Sequence, residues 1–311
     1  MFQLKTEHKK IIAKPFLKWA GGKTQILPAI IEKLPTELKN GQIHNYYEPF
    51  LGGGAVFFYI IQNYPIEKAF LYENNEELIL VYKVIKHNVE ELINELDYLK
   101  KNYLKLNDTD REEYFYEIRH EYNHKKERIN FKEYSEVWIN RAALMIFMNK
   151  TCYNGLYRLN RSGYFNVPFG RYTNPEIFDI DNLKHTSRLL QFTQLIAGDF
   201  SEVKNDILKN SFVYFDPPYR PISKTSSFTS FNKFVFDDKE QIRLAKVFKE
   251  LDKNNIKLML SNSDPKNGNN NDNFFEKLYA GYNIYRVSAN RMINCIGNKR
   301  GKINELIITN Y

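Results

Sequence analysis

Asp216-Pro217-Pro218-Tyr219 follows directly on the apolar run Phe212-Val213-Tyr214-Phe215. An ionised carboxylate offers acceptors only. Pro217 keeps its carbonyl but has no N–H, so it adds a fixed acceptor beside that carboxylate. Tyr219 adds a flat face. Two acceptors and a ring suit a planar base that presents an amino group. The chemistry such a site supports is activation of that amine. Hydrogen bonds to its two hydrogens favour a pyramidal nitrogen with a localised lone pair, and they strengthen as positive charge develops there.

A strand has to deliver these groups. Residues 212–215 form a short run of Val and aromatics that ends at a breaker, the pattern of a central strand. A strand covered on both faces needs no alternation. The two prolines cannot extend a ladder, so the chain leaves the sheet there. Asp216 then stands at the carboxyl end of a strand, where open α/β sheets bind their ligands. Taken alone, the four residues also read as a strand-end turn with a capping Asp.

Three earlier stretches read as parts of a ligand site. Asn45-Tyr-Tyr-Glu48-Pro-Phe-Leu-Gly52-Gly53-Gly54 reads as strand, glycine turn and helix. The turn keeps Gly52-x-Gly54 but has Phe57 where a dinucleotide fingerprint needs a third glycine. Lys68 to Glu73 reads as a second strand ending in an acid, about where Rossmann-like sheets bind ribose hydroxyls. Lys18-Trp19-Ala-Gly21-Gly22-Lys23 imitates a phosphate loop. A true one needs Gly at the position of Leu17, so a nucleotide triphosphatase is excluded. The stretch reads instead as a glycine turn entering a helix, with amides and Lys23 able to hold a carboxylate.

Residues 77–186 interrupt the βαβ rhythm with segments of 3–4 apolar spacing, including 111–122 and 136–148, and with a polar surface loop at 121–128. Asn149 to Tyr172 interleaves arginines, aromatics and asparagines. Residues 160–163 lie between two β-like pieces, as in a hairpin able to enter a major groove. After Thr186 the rhythm returns. Strands centre near 46, 70, 195, 213, 258, 285 and 307, with a helix over 238–254 and a polar loop over 266–273. The expectation is therefore an α/β fold with a seven-stranded Rossmann-like sheet. Residues 1–76 and 187–311 form its catalytic domain, and 77–186 an inserted helical and hairpin domain. The Ser/Thr-rich stretch 220–233, with Lys224, Phe228 and Phe231, is a loop suited to phosphates. Residues 298–302 are either a DNA-facing loop or a solvated hairpin end.

The totals agree with a globular chain that meets a polyanion. The 311 residues are 43% hydrophobic and 26% charged, with a net charge of +8. No apolar run approaches the roughly 20 residues needed to cross a bilayer. Met1 to Lys14 lacks a secretory apolar core, so a cytoplasmic location and no membrane partner are expected. Cys152 and Cys295 imply neither a disulfide framework nor a zinc site, and no metal is expected.

These motifs, in this order, resemble the Dam-type, alpha-group DNA adenine-N6 methyltransferases, including the GATC-methylating restriction-modification kind. The match runs through Lys-Trp-Ala-Gly-Gly-Lys, Glu-Pro-Phe-Leu-Gly-Gly-Gly, Tyr-Asn-Gly-Leu-Tyr-Arg and Asp-Pro-Pro-Tyr, and covers almost the whole chain. The resemblance implies S-adenosylmethionine as methyl donor and a base flipped from double-stranded DNA as acceptor. It implies cofactor contacts from Trp19, Lys23, Gly52, Gly54, Glu73, Asp199, Phe200 and Asp216, with Asp199 accepting from the cofactor's adenine. Catalysis falls on Asp216, Pro217 and Tyr219. DNA contacts fall on Lys18, Tyr153, Asn154, Leu156 and Arg158, the last as the reader of guanine. Glu73 departs from the family's usual Asp. A cognate restriction endonuclease acting separately is a further implied partner. The other readings are an RNA or free-nucleotide amino-methyltransferase and a DNA-binding protein with a decayed site.

Overall fold

The computed structural model describes residues 13–220, 236–290 and 302–311. The stretch containing Lys224, Phe228 and Phe231, the link 298–301 and Cys295 lie outside them. In chain order the elements begin with α1 (Leu27–Glu32), α2 (Thr36–Lys39), β1 (Asn45–Glu48), α3 (Ala55–Asn63), β2 (Lys68–Glu73) and α4 (Glu76–His87). The helical segment follows with α5 (Val89–Leu104), α6 (Asp108–His124), α7 (Val137–Thr151) and α8 (Ile180–Leu190). The chain then returns to β3 (Thr193–Ala197), β4 (Ser211–Phe215), α9 (Asp238–Asp252), β5 (Lys257–Ser263), α10 (Phe274–Leu278), β6 (Asn283–Asn290) and β7 (Lys302–Thr309).

The seven expected strands form one sheet in the order β3-β2-β1-β4-β5-β7-β6. β3, β2, β1, β4 and β5 are mutually parallel, and β7 runs antiparallel between β5 and β6. The order reverses between β1 and β4. That makes the crevice above their carboxyl ends the switch point at which open α/β sheets take ligands.

Strand periodicity explains the two covered faces. Tyr46, Phe212, Tyr214, Met259 and Ile307 join an apolar cluster that continues through α3, α4, α5, α6 and α7. Their alternates Tyr47, Val213, Phe215, Leu258, Leu260, Leu306 and Ile308 face a second cluster with Leu244 and Phe248 of α9 and Phe275 of α10. All five residues of β4 are buried, as its unbroken apolar run requires.

The helical segment shares the first cluster. α4 packs on β2 and β3 and also on α7 and α8. α8 continues through position 187, where the rhythm of the sequence changes. The expected loop at 121–128 is instead the last turn of α6 followed by a short 3-10 turn. Its polar composition hid the end of the helix expected over 111–122, which Asn107 caps at one end and the Lys125–Glu121 pair, at 2.7 Å, supports at the other. The polar stretch 266–273 likewise carries part of a 3-10 turn, Pro265–Asn267, and leads into α10. The hairpin around 160–163 forms with an isolated bridge, Leu159 to Phe165, rather than full strands. Asn123 of α6 pins it by accepting from the N–H of Phe165 at 2.8 Å and donating to its carbonyl at 3.0 Å.

Candidate active site

Asp216 stands one residue past β4, where Pro217 ends the ladder. Its Oδ1 receives two donors: the ammonium of Lys23 at 2.7 Å and the hydroxyl of Ser261, on neighbouring β5, at 2.9 Å. Tyr214 reaches the same Ser261 hydroxyl from β4 at 2.9 Å, which fixes that hydroxyl in place. Burial pushes the Asp216 carboxyl above the ordinary range, and Lys23 and Ser261 pull it back. The side chain of Asp216 remains 18% exposed, so the crevice reaches it.

Tyr219 folds back toward the same point. Its ring lies under the Lys23 ammonium, 4.5 Å from ring centre to Nζ. Its hydroxyl donates to Glu305 of β7 at 2.6 Å. Burial raises the Glu305 carboxyl, and the bond from Tyr219 opposes the shift. β1 contributes a further buried acid: Glu48 accepts from Tyr46 at 2.6 Å, and burial holds its carboxyl well above the usual range. Lys23, Asp216, Tyr219, Ser261 and Glu305 thus form one connected polar group at the switch point.

The glycine loop lies beside it. Gly52 and Gly54 adopt positive φ, 48° and 71°. A Cβ on Gly52 would stand 3.0 Å from the Trp19 indole, and one on Gly54 would stand 2.8 Å from the Tyr82 hydroxyl. Only glycine lets the backbone pass that close in that conformation. Glu73 secures the loop from the end of β2. One of its oxygens accepts from the Gly52 N–H and the other from the Asn75 N–H, both at 3.0 Å. Burial raises its carboxyl, and backbone hydrogen bonds moderate the shift.

An aromatic cluster follows β3. Phe200 stacks on Phe50 with centroids 5.2 Å apart, and Phe236 closes on both at 5.8 and 5.7 Å. Asp199 caps the short turn that presents Phe200 and is gripped by Arg243 through bonds of 2.6 and 2.8 Å. That pairing lowers its carboxyl from 3.8 to about 2. The Arg243 guanidinium also covers the Phe200 ring at 4.0 Å.

The residues expected to meet DNA form a second group. Tyr153 is 55% exposed, and Asn154 beside it adopts a left-handed φ of 57°. Leu156 is half-buried. Arg158 is exposed, and Asn166 across the hairpin orients its guanidinium through bonds of 2.8 and 3.2 Å. Lys18 reaches over the ring of Tyr172, 5.3 Å from its centre.

Sequence reasoning did not single out Glu48, Phe50, Phe236, Arg243, Ser261 or Glu305 as site residues. Glu48 and Phe50 lie inside a motif that was read for its glycines. Glu305 sits on a strand whose residues 303–308 show no polar–apolar alternation to mark it. Ser261 and Arg243 carry no local signal, since their partners lie 45 and 44 residues away.

Residues 19–293 match the D12 class N6 adenine-specific DNA methyltransferase family. The chain is 54% identical over 299 residues to the type II methyltransferase M.MjaIII of Methanocaldococcus jannaschii, covering 96% of this chain and 99% of that protein. It is 38% identical over 307 residues to the type II methyltransferase M1.LlaDCHI of Lactococcus lactis subsp. cremoris, covering 98% of each. Against a DNA adenine methylase of Haemophilus influenzae the identity is 31% over 299 residues, 96% of this chain and 94% of that one. Similarity of this extent, spanning the switch-point residues and the hairpin around 160–163 alike, makes the chain a member of the D12 class N6 adenine-specific DNA methyltransferases.

Proposed function

We propose that this methyltransferase transfers a methyl group from S-adenosylmethionine to the exocyclic N6 of an adenine swung out of duplex DNA, within the sequence GATC. The observation that carries the reading is the convergence of Asp216, Tyr219 and Lys23 at the switch point, beside the glycine loop. The chemistry of the side chains fits the donor. The aromatic rings of Phe50, Phe200 and Phe236 suit its adenine, with Asp199 at the edge. The Glu73 carboxylate, already bonded to backbone N–H groups, offers further acceptor capacity for ribose hydroxyls. Trp19 and the Gly52–Gly54 turn form a close-fitting wall, with Lys23 at hand for a carboxylate. Bound there, the donor supplies an electrophilic methyl.

The chain's own residues do the rest. An adenine inside a duplex hides its amino group, and extruding it costs a few kcal/mol. Stacking on Tyr219 returns roughly 1–3 kcal/mol. Asp216 and the Pro217 carbonyl accept the two amino hydrogens and hold the nitrogen pyramidal. These bonds strengthen as charge develops, so they favour the transition state over the ground state. Lys23 shifts its ammonium away from Asp216 as the amine arrives. Lys18, Tyr153, Asn154 and Leu156 seat the duplex, and Arg158 reads a guanine, a bidentate contact that discriminates by about 1–3 kcal/mol. The recognition role belongs to the region 77–186, and the catalytic role to 1–76 and 187–311. No helix among the described residues is long and apolar enough to cross a membrane. Work on DNA implies residence in the cytoplasm. The relatives named as type II methyltransferases support a cognate restriction endonuclease acting separately.

The test is to incubate the protein with labelled S-adenosylmethionine and duplex DNA, challenge the product with a methylation-sensitive GATC nuclease, and map modified adenines by sequencing. Protection with label on N6 of adenine in GATC is expected. Label at another sequence removes the GATC assignment alone. Label on RNA, or on no nucleic acid, removes the reading.

A further inference from the structure

We infer that Asn149 is a positioning residue that couples occupation of the cofactor site to recognition of DNA. This rests on the assignment of Trp19 to the cofactor and of Tyr153–Arg158 to the duplex.

Asn149 lies in the last turn of α7, 1% exposed, and every polar atom of its amide is used. Oδ1 accepts from the Lys18 N–H at 2.9 Å, and Nδ2 donates to the Lys18 carbonyl at 2.9 Å and to the Gly155 carbonyl at 3.0 Å. A side-chain amide has one acceptor and two donors, and here they bind two chain segments 137 residues apart (155 − 18). One segment continues directly into Trp19 and on to Lys23. The other is the turn that presents Tyr153 and Asn154.

Two further contacts join the same segments. The Trp19 indole stacks on the buried ring of Tyr157, with centroids 5.3 Å apart and planes at 25°. Gly155 has a φ of 63°, and a Cβ there would fall 2.9 Å from the Cβ of Lys18. The backbones are as close as a missing side chain allows.

The physical consequence is that neither segment moves alone. A shift of residues 18–19 by about an ångström takes the Asn149 bonds outside hydrogen-bonding range unless the turn follows, leaving buried polar groups unsatisfied. A ligand that orders Trp19 therefore also orders Tyr153–Tyr157. A second ligand then binds to a surface already arranged, and linkage makes the effect reciprocal. Asn149 touches neither ligand and acts through both segments.

The experiment uses the full chain and a fluorescent duplex carrying the site mapped by the protection assay. Its Kd is measured without and with saturating sinefungin, an unreactive analogue of the methyl donor. The natural protein should bind the duplex about tenfold or more tightly with sinefungin, within the usual span of coupling. In Asn149→Ala that ratio should fall to within about threefold. A merely structural role would weaken both ligands and leave the ratio unchanged. Because Asn149 is buried, Tyr157→Leu is measured alongside, with near-UV circular dichroism to certify the fold of each variant. It should lower the ratio too. A full ratio in a folded variant overturns the inference. So does a ratio of one in the natural protein, which leaves the methylation reading standing. Failure of the natural protein to bind sinefungin takes down both.

Discussion

The Lys23 ammonium holds the Asp216 carboxylate at 2.7 Å while lying over the Tyr219 ring. The cation therefore rests between the carboxylate and the aromatic face. Its charge also opposes the rise in the Asp216 carboxyl caused by burial.

Lys23→Met should cut kcat/KM by about 10- to 100-fold, the range of a lost charge-assisted bond worth about 1.5–3 kcal/mol. With the cation gone the Asp216 carboxyl rises further, and protonation removes its ability to accept. The acidic limb of the pH–rate profile should therefore move to higher pH. Single-turnover rates across the acid range check this; a limb that stays in place would show that Lys23 does not govern Asp216.

Glu305→Ala leaves the Tyr219 hydroxyl without its acceptor in a half-buried site. The methyl-transfer rate should fall by about 5- to 100-fold, for an unmade bond worth about 1–3 kcal/mol. Glu305→Gln keeps an acceptor and should recover most of the rate. The fluorescence of 2-aminopurine at the target position reports whether the extruded base is still held. Equal losses in the Ala and Gln variants would assign Glu305's role to its charge and not to the hydrogen bond.

Arg243→Met should make the dependence of Tm on pH shallower in acid. In the folded chain the Asp199 carboxyl sits at about 2, below its ordinary 3.8. A depressed carboxyl contributes stability that is present above the unfolded value and is lost as pH falls through the folded one. The natural protein should thus lose Tm between about pH 4 and pH 2 more steeply than the variant. Parallel melting curves in that window would exclude the ion pair as the cause.

Arg141→Ala should destabilise the fold by about 3–5 kcal/mol, the cost of leaving a buried charge without its partner. Arg141 of α7 and Glu77 of α4 are both buried and joined at 2.9 Å, and the guanidinium covers the Tyr122 ring at 3.6 Å. Replacing both by apolar residues, Arg141→Met with Glu77→Leu, should restore much of the loss. Urea unfolding of the three chains measures it.

The sequence carried what local chemistry carries. Phe212–Phe215 announced a doubly covered strand because an apolar run without alternation has no exposed face, and two prolines fixed where it ends. Gly52 and Gly54 marked a turn because no other residue takes their backbone so close to a neighbour. Glu305, Ser261, Arg243 and Asn149 stayed hidden for one physical reason. Each takes its meaning from a partner brought near by the sheet order or by a helix end, and periodicity says nothing about such distant pairs. The end of α6 was hidden differently: its surface is polar nearly all round, so the stripe that marks the helix over 111–122 is faint past Tyr122.

The position of β7 between β5 and β6 governs how the molecule is assembled. β6 leaves the ribosome before β7, yet it has no place in the sheet until β7 arrives to pair with both. The same late strand brings Glu305 to Tyr219. A nascent chain therefore carries a finished glycine loop and an unfinished polar group around Tyr219, and translation must pass Glu305 before that group is complete.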